Sequence, residues 1–482
     1  MKPPVTTTPR LPSLPISTAD VPGSAARALT LEKAHGNGDL ARITEALGIG
    51  GPFKVLNPWE LRDEGGRHLI NAGGYAALPF GERYPPLVDF VRTYLEASTS
   101  MSLPQQSVSD WRAALETNLV ALLAFYAPSH RDSQVFFSNS GAEAIETALK
   151  FARTARPHAT HLINFTRGYH GKTAGALSLT PNEEYQAPFR PLLGNVVTLP
   201  YGDAQALTDK VAELGADRVI GVVLEPIQGE GGVIRPPADF LPAVNALRAR
   251  GVLAIADEIQ TGLGRSGHLF ASVAGGLDPD ILTLAKPLGG GLLPVGATVA
   301  RREIYKTMLG GLQSKRHSNT FGGGSLAMAV GLKSLEIIVE EGLVERSKRL
   351  GEHGLAELRK LQAAYPELIQ EVRGAGMLFA LQLQPVVPFN AVSPKVLAGE
   401  LPAQLGSALA LRLLHQAGVH GCYTLNSSAT LRLTPPLNIP EETFEALLKR
   451  AAHFAKCTPK AWQLPLKTPP SVLAGLARLA LR

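Results

Sequence analysis

Between Arg218 and Glu225 the chain runs Val-Ile-Gly-Val-Val-Leu without one polar side chain. A strand with one wet face would alternate, so a run this unbroken reads as a central strand of a parallel sheet covered on both faces. That reading commits the chain to an α/β fold. Gly251-Val-Leu-Ala-Ile-Ala256 and Leu282-Thr-Leu-Ala285 are further buried runs, and Gln134-Val-Phe-Phe137 and His161-Leu-Ile-Asn-Phe165 read as shorter strands. Three of these runs deliver a chemical group at their end: Glu225, Asp257 and Lys286.

Lys286 is followed by Pro-Leu-Gly-Gly-Gly291, which places an amine at the end of a buried strand beside backbone that carries no side chains. Lysine is the side chain that condenses with an aldehyde, and desolvation keeps part of it neutral near neutral pH. Asp257, after its apolar run, is a buried acid in need of a cation. The protonated nitrogen of a pyridine ring is one, bound with about 1.5–3 kcal/mol by a charge-assisted hydrogen bond. Lysine and aspartate together point to pyridoxal 5'-phosphate (PLP). Ser138-Asn-Ser-Gly-Ala-Glu-Ala144 then reads as a strand end, small residues and a helix start. Alone it would be an ordinary N-cap, but here Ser140, Gly141 and Ala142 can cradle a phosphate on unpaired amides. Tyr169-His170-Gly171 follows the strand ending at Phe165 and can lay an aromatic ring on a pyridine. Gln260, three residues past Asp257, can reach the phenolic oxygen, and Ile259 can cover the ring face opposite His170.

The remaining chain narrows the partners. A formal charge of +6 over 482 residues, with scattered Lys and Arg, gives no nucleic-acid footprint and favours small anionic molecules. Two cysteines, Cys422 and Cys457, form no disulfide framework and suit a reducing, cytoplasmic setting. No stretch is long and apolar enough for a membrane span, and residues 1–24 read as a mobile tail without a signal-peptide core. Helical spacing is expected over Ala25–Ile49, a hairpin-like turn at Asp63-Glu-Gly-Gly66, and a strand turning back at the sheet edge over Pro294–Ala300. Leu326 to Gln362 reads as a long helical pattern. One strand is expected from Gly374 to Leu383 and another ending at Leu431-Arg432-Leu-Thr-Pro-Pro436. Ser471–Arg482 reads as a helix packed on the body. Neither Gly289-Gly-Gly291 nor Gly48-Ile-Gly-Gly51 has the frame of a dinucleotide site, and no Cys/His spacing indicates metal.

The Asp257 and Lys286 stretches, with Ser138–Ala144, Tyr169–Gly171, Glu225-Pro-Ile-Gln-Gly-Glu230 and Thr320-Phe-Gly-Gly323 in this order, resemble the class III aminotransferases. Phe189-Arg-Pro-Leu-Leu193 and Arg373-Gly-Ala-Gly-Met377 look most like the putrescine and ornithine branch. The resemblance implies a fold type I PLP-dependent transferase: a large domain over 91–362 with a mostly parallel central sheet, and a small α+β domain from both chain ends, 25–90 and 363–482. It implies Lys286 and Asp257 as catalytic residues, Tyr169 and His170 against the cofactor ring, Glu225 in the active-site hydrogen bonds, and Glu230 as a gate paired with Arg432. In relatives Thr320 reaches the partner subunit's cofactor, which implies a homodimer or dimer of dimers with the site at the subunit interface. The substrates implied are an amine donor and an oxo acid, 2-oxoglutarate first.

Two positions depart from the pattern. Gly81-Glu82 stands where relatives carry Gly-His, which bears on the substrate-side wall. Lys172 stands where ornithine-type relatives carry arginine; a lysine is a point charge without a two-pronged fork, and it shifts the expected donor toward an ω-amine such as putrescine. An amino-acid racemase or epimerase on the same scaffold and a non-catalytic binding protein are the competing readings.

Overall fold

The structure, a computed structural model, describes residues 16, 18, 21, 25–97, 107–386 and 401–480. The expected amino-terminal tail lies largely outside the described residues. The strands of the described residues are, in chain order, β1 (Lys54–Asn57), β2 (Glu60–Arg62), β3 (His68–Asn71), β4 (Gln134–Ser138), β5 (His161–Phe165), β6 (Val196–Leu199), β7 (Val219–Leu224), β8 (Leu253–Asp257), β9 (Ile281–Leu284), β10 (Gly296–Ala300), β11 (Ile369–Ala375), β12 (Leu378–Leu383), β13 (Val419–His420), β14 (Cys422–Tyr423) and β15 (Thr430–Leu433).

The central sheet has seven strands in the order β4-β10-β9-β8-β7-β5-β6. β7 lies between β5 and β8 and is parallel to both, and each of its residues is buried. Ile220 and Val223 pack with the helix Gly141–Ala155, while Val222 and Leu224 pack with the helices Ala204–Leu214 and Phe240–Arg248. Apolar cover on both faces is why the run needs no polar alternation, and each such side chain contributes about 1.5–3 kcal/mol by leaving water. β10 runs antiparallel to both neighbours. It turns back as expected, yet it does not form the edge: β4 hydrogen-bonds along its outer side and takes that place.

Two smaller sheets complete the architecture. β1-β2-β3-β13 joins the two ends of the chain, since β13 pairs parallel with β3. β11-β12-β15-β14 is antiparallel and carries Arg432 on β15. The strand expected over Gly374–Leu383 is a hairpin. The chain reverses at Gly376, where φ is +52° and a Cβ would meet the Gly267 amide at 2.3 Å, so glycine is required. The pattern expected to run from Leu326 to Gln362 is two helices, Ser325–Glu340 and Leu343–Ala364, parted at Gly342 with φ +60°. The last helix, Pro470–Ala480, lies on Gly38–Leu47, with Leu473 and Leu476 against the core. Among the described residues no helix is long and apolar enough to cross a membrane.

Candidate active site

Parallel strands bring their carboxyl ends to one side of the sheet, and ligands of such sheets bind in the crevice there. A cavity of about 540 Å³ opens at that side, lined among others by Ser140, Gly141, Ala142, Tyr169, His170, Lys172, Glu225, Glu230, Asp257, Ile259, Gln260 and Lys286. Twelve of the fourteen residues singled out from the sequence therefore meet in one cavity. Arg432 stands behind that lining, fully buried, and Thr320 lies exposed outside it.

At one end the helix Gly141–Ala155 begins. The Ser140 hydroxyl accepts from the Glu143 amide at 3.2 Å, and the Glu143 carboxylate accepts from the Asn139 amide at 2.6 Å. The amides of Gly141 and Ala142, in the first turn, have no partner within the helix and add to its positive end. A Cβ on Gly141 would meet Ile259 at 2.9 Å, so the cradle and the cover of the cavity are packed together.

Asp257 closes β8 and is 3% exposed. Its Oδ1 accepts from the Ile259 amide at 3.1 Å and from the Thr283 hydroxyl at 3.4 Å. Its Oδ2 lies 2.7 Å from His170 Nδ1. Burial pulls the His170 imidazole down, but the bond to Asp257 and the charges of Asp257 and Glu225 outweigh that and leave it raised. His170 is expected against the ring face; the structure also pairs its Nδ1 with Asp257. The sequence carried a signal for this pairing only in the polar residue after Tyr169, with nothing to say which acid it meets.

Glu225 accepts from the amides of Tyr169 and Gly229, each at 2.9 Å, and Tyr201 donates to its backbone carbonyl at 2.8 Å. Burial pushes its carboxyl up to about 7, against the pull of His170. Lys286 is half-buried, with φ +28°, a conformation that costs a non-glycine residue about 1–3 kcal/mol and that surrounding packing must enforce. Burial lowers its amine below the usual lysine range; Glu230 opposes this, Arg432 adds to it, and Asp257 and Glu225 oppose it. The glycines after it serve packing more than ligand access. Gly291 lines the cavity, while a Cβ on Gly290 would strike Leu87 at 2.4 Å and Ser334 at 2.6 Å.

Glu230 and Arg432 form a buried ion pair. Gln260, expected to reach the phenolic oxygen, also joins this pair, donating to Glu230 at 3.3 Å and accepting from Arg432 at 3.2 Å. Burial raises the Glu230 carboxyl, but Arg432, Lys286 and its hydrogen bonds prevail and hold it low. The Nε and Nη2 of Arg432 are buried without a hydrogen-bond partner among the described residues, and its guanidinium faces the Tyr75 ring at 5.6 Å. Lys172 is exposed at the cavity mouth with its ammonium 3.8 Å from the Tyr185 ring centroid. Ala77 and Leu78, rather than Glu82, supply the wall beside the Gly81 turn.

The sequence pattern of the class-III aminotransferases matches residues 58–454. The chain belongs to that family. It is 37% identical over 410 residues to a putrescine aminotransferase of Pectobacterium atrosepticum, covering 84% of this chain and 82% of that protein. An ornithine aminotransferase of Toxoplasma gondii superposes with a TM-score of 0.72 at 27% identity, covering 84% of this chain and 90% of that one. An amine transaminase from an uncultivated Pseudomonas species, in its PLP-bound form, gives 0.73 at 28% identity, over 84% and 94% of the two chains.

Class-III aminotransferases are PLP-dependent transaminases that use an amine and an oxo acid. The residues present in this aminotransferase fit the cofactor. The cavity has the volume of a small-molecule site, the Gly141 cradle leaves amides free where a phosphate would lie, and a buried acid and a depressed amine face the space between.

Proposed function

We propose that this aminotransferase moves an amino group from an ω-amine, a putrescine-like diamine or ornithine-like donor, to 2-oxoglutarate. One observation carries the reading: no arginine lines the cavity among the described residues, and the guanidinium of Arg432 is masked by the lining residue Glu230. A single masked arginine suits a site that alternates between a substrate without a carboxylate at the reacting end and one that has it. Glu230 neutralises Arg432 while the amine is bound and swings aside for the oxo acid, whose carboxylate then takes the Nη1 that Glu230 vacates together with the unpartnered Nη2.

PLP, when bound, supplies the carbonyl that carries the amino group and the ring that accepts electrons. Ser140, Gly141 and Ala142 bind its phosphate, Asp257 holds the proton of its ring nitrogen, and His170 steadies the Asp257 charge. Tyr169 and Ile259 enclose the ring, and Gln260 stands near its oxygen. Lys286, kept partly neutral by burial, takes the proton from the carbon bearing the donor's amine. In the second half-reaction it returns a proton to the carbon that was the oxo acid's carbonyl. Glu225, a buried carboxyl close to neutrality, anchors the backbone of Tyr169. Thr320 is assigned to the partner subunit's cofactor in a homodimer. Its exposure, and that of the neighbouring Phe321 and Leu312, supports a buried role in an assembly.

Lys172 supports the donor side of the same reading, since its ammonium is engaged by Tyr185 and offers no bidentate fork. Its test is the donor profile. kcat/KM for putrescine or cadaverine exceeds that for ornithine in the parent, and Lys172→Arg moves selectivity toward the amino acid; ornithine well above the diamines in the parent overturns the assignment. Racemisation is separated by omitting the oxo acid, because only a racemase continues beyond one turnover.

A further inference from the structure

The Glu230–Arg432 pair is held from outside. Glu230 Oε2 accepts from the Leu425 amide at 3.0 Å, and its backbone carbonyl accepts from the Asn426 amide at 3.0 Å. The loop between β14 and β15 thus grips both the side chain and the backbone of Glu230. That loop is fixed in turn on its far side. The Tyr185 hydroxyl donates to the Leu425 carbonyl at 3.2 Å, and the Asn426 side chain donates to the Gly168 carbonyl at 2.7 Å and accepts from Asn182 at 3.1 Å. Asn182 caps the short helix Glu183–Gln186 that carries Tyr185, and Gln186 ties this helix to the body by donating to the Leu177 and Thr180 carbonyls at 3.0 and 2.9 Å.

For a carboxylate to reach Arg432, Glu230 must leave it, and leaving breaks the bond from the Leu425 amide. Whatever fixes Leu425 therefore favours the masked state. We propose that Tyr185 and Asn426 are positioning residues that latch the Glu230–Arg432 gate shut through the Leu425–Asn426 loop, and so set the balance between oxo-acid and amine binding. The inference deepens the proposed function and rests on its assignment of Arg432 to the acceptor carboxylate. A ligand that binds only an opened state has its apparent affinity reduced by the fraction open. Loosening the latch consequently tightens oxo-acid binding, the opposite of what damage to a site does.

Tyr185→Phe removes the hydroxyl and keeps the ring under the Lys172 ammonium. Asn426→Ala removes the two side-chain ties and serves as the independent variant. In Tyr185→Phe the KM for 2-oxoglutarate falls about two- to tenfold, the effect of one hydrogen bond, while the KM for the amine donor does not fall; Asn426→Ala moves the same way. A KM for 2-oxoglutarate that is unchanged or raised in both folded variants overturns the latch. Arg432→Ala, measured alongside, separates the two levels. If it weakens donor and oxo acid equally, the acceptor assignment fails and the latch falls with it. If it weakens the oxo acid selectively while the latch variants leave that KM unmoved, the latch alone fails.

Discussion

Glu230→Gln removes the charge that masks Arg432 and keeps the shape of the side chain. Both partners are buried, so water and salt screen the pair poorly, and stripping one charge from a buried pair costs about 3–5 kcal/mol. The amide oxygen keeps one of the two acceptor roles that the carboxylate oxygens divide between Leu425 and Arg432, which leaves the loss at about 1.5–3 kcal/mol, the scale of a charge-assisted hydrogen bond. The same energy no longer opposes the oxo acid. Its KM falls by about 10- to 100-fold, and the KM for a cationic donor rises because it now meets an unmasked guanidinium. Acid stability changes with it. Glu230 is held below its ordinary value of 4.5, so it contributes stability above that pH and loses it as pH falls through the folded value. The variant is therefore less stable than the parent at neutral pH, and the gap closes in acid. Steady-state kinetics on both substrates and urea unfolding across pH provide the assay. A folded variant whose KM for 2-oxoglutarate is unchanged or raised refutes the gate.

Asp257→Asn retains the fold and loses most of its turnover, because a neutral amide cannot hold a ring nitrogen protonated; a rate within a few-fold of the parent reduces Asp257 to a structural acid. Glu225 carries a carboxyl raised from 4.5 to about 7, so its contribution to stability is fully present below pH 4.5 and is lost as pH rises through about 7. In Glu225→Gln the apoprotein lacks that decline, and parallel pH–stability curves for variant and parent contradict the assignment.

The strand cores were legible because burial on both faces leaves an unbroken apolar run: β7 and β5 lie within a residue of the expected runs, and Asp257 closes β8. Ser140, Gly141, Asp257 and Lys286 were legible because each sits at a strand end or helix start, where local pattern and chemistry coincide. Strand order was not. Nothing in Pro294–Ala300 says that β4 will add outside it, since that is decided by which helices cover which face. The breaks at Gly342 and Gly376 depend on positive φ values that a lone glycine permits without announcing. The His170–Asp257 bond joins residues 87 positions apart, and Gln260 meets Arg432 across 172. Such pairs arise only when the sheets assemble. Tyr185 and Asn426 carried no motif at all, and their relation to Glu230 exists only through backbone amides and carbonyls.

The proton transfers proposed for Lys286 are tested by product formation in Lys286→Ala saturated with PLP, using an ω-amine and 2-oxoglutarate. The variant is expected to fold, to lose the absorbance of lysine-bound cofactor and to form no product above background, since among the described residues Lys172, at the cavity mouth, is the one other lysine in the lining. Turnover at the parent rate in that variant would contradict the proposal.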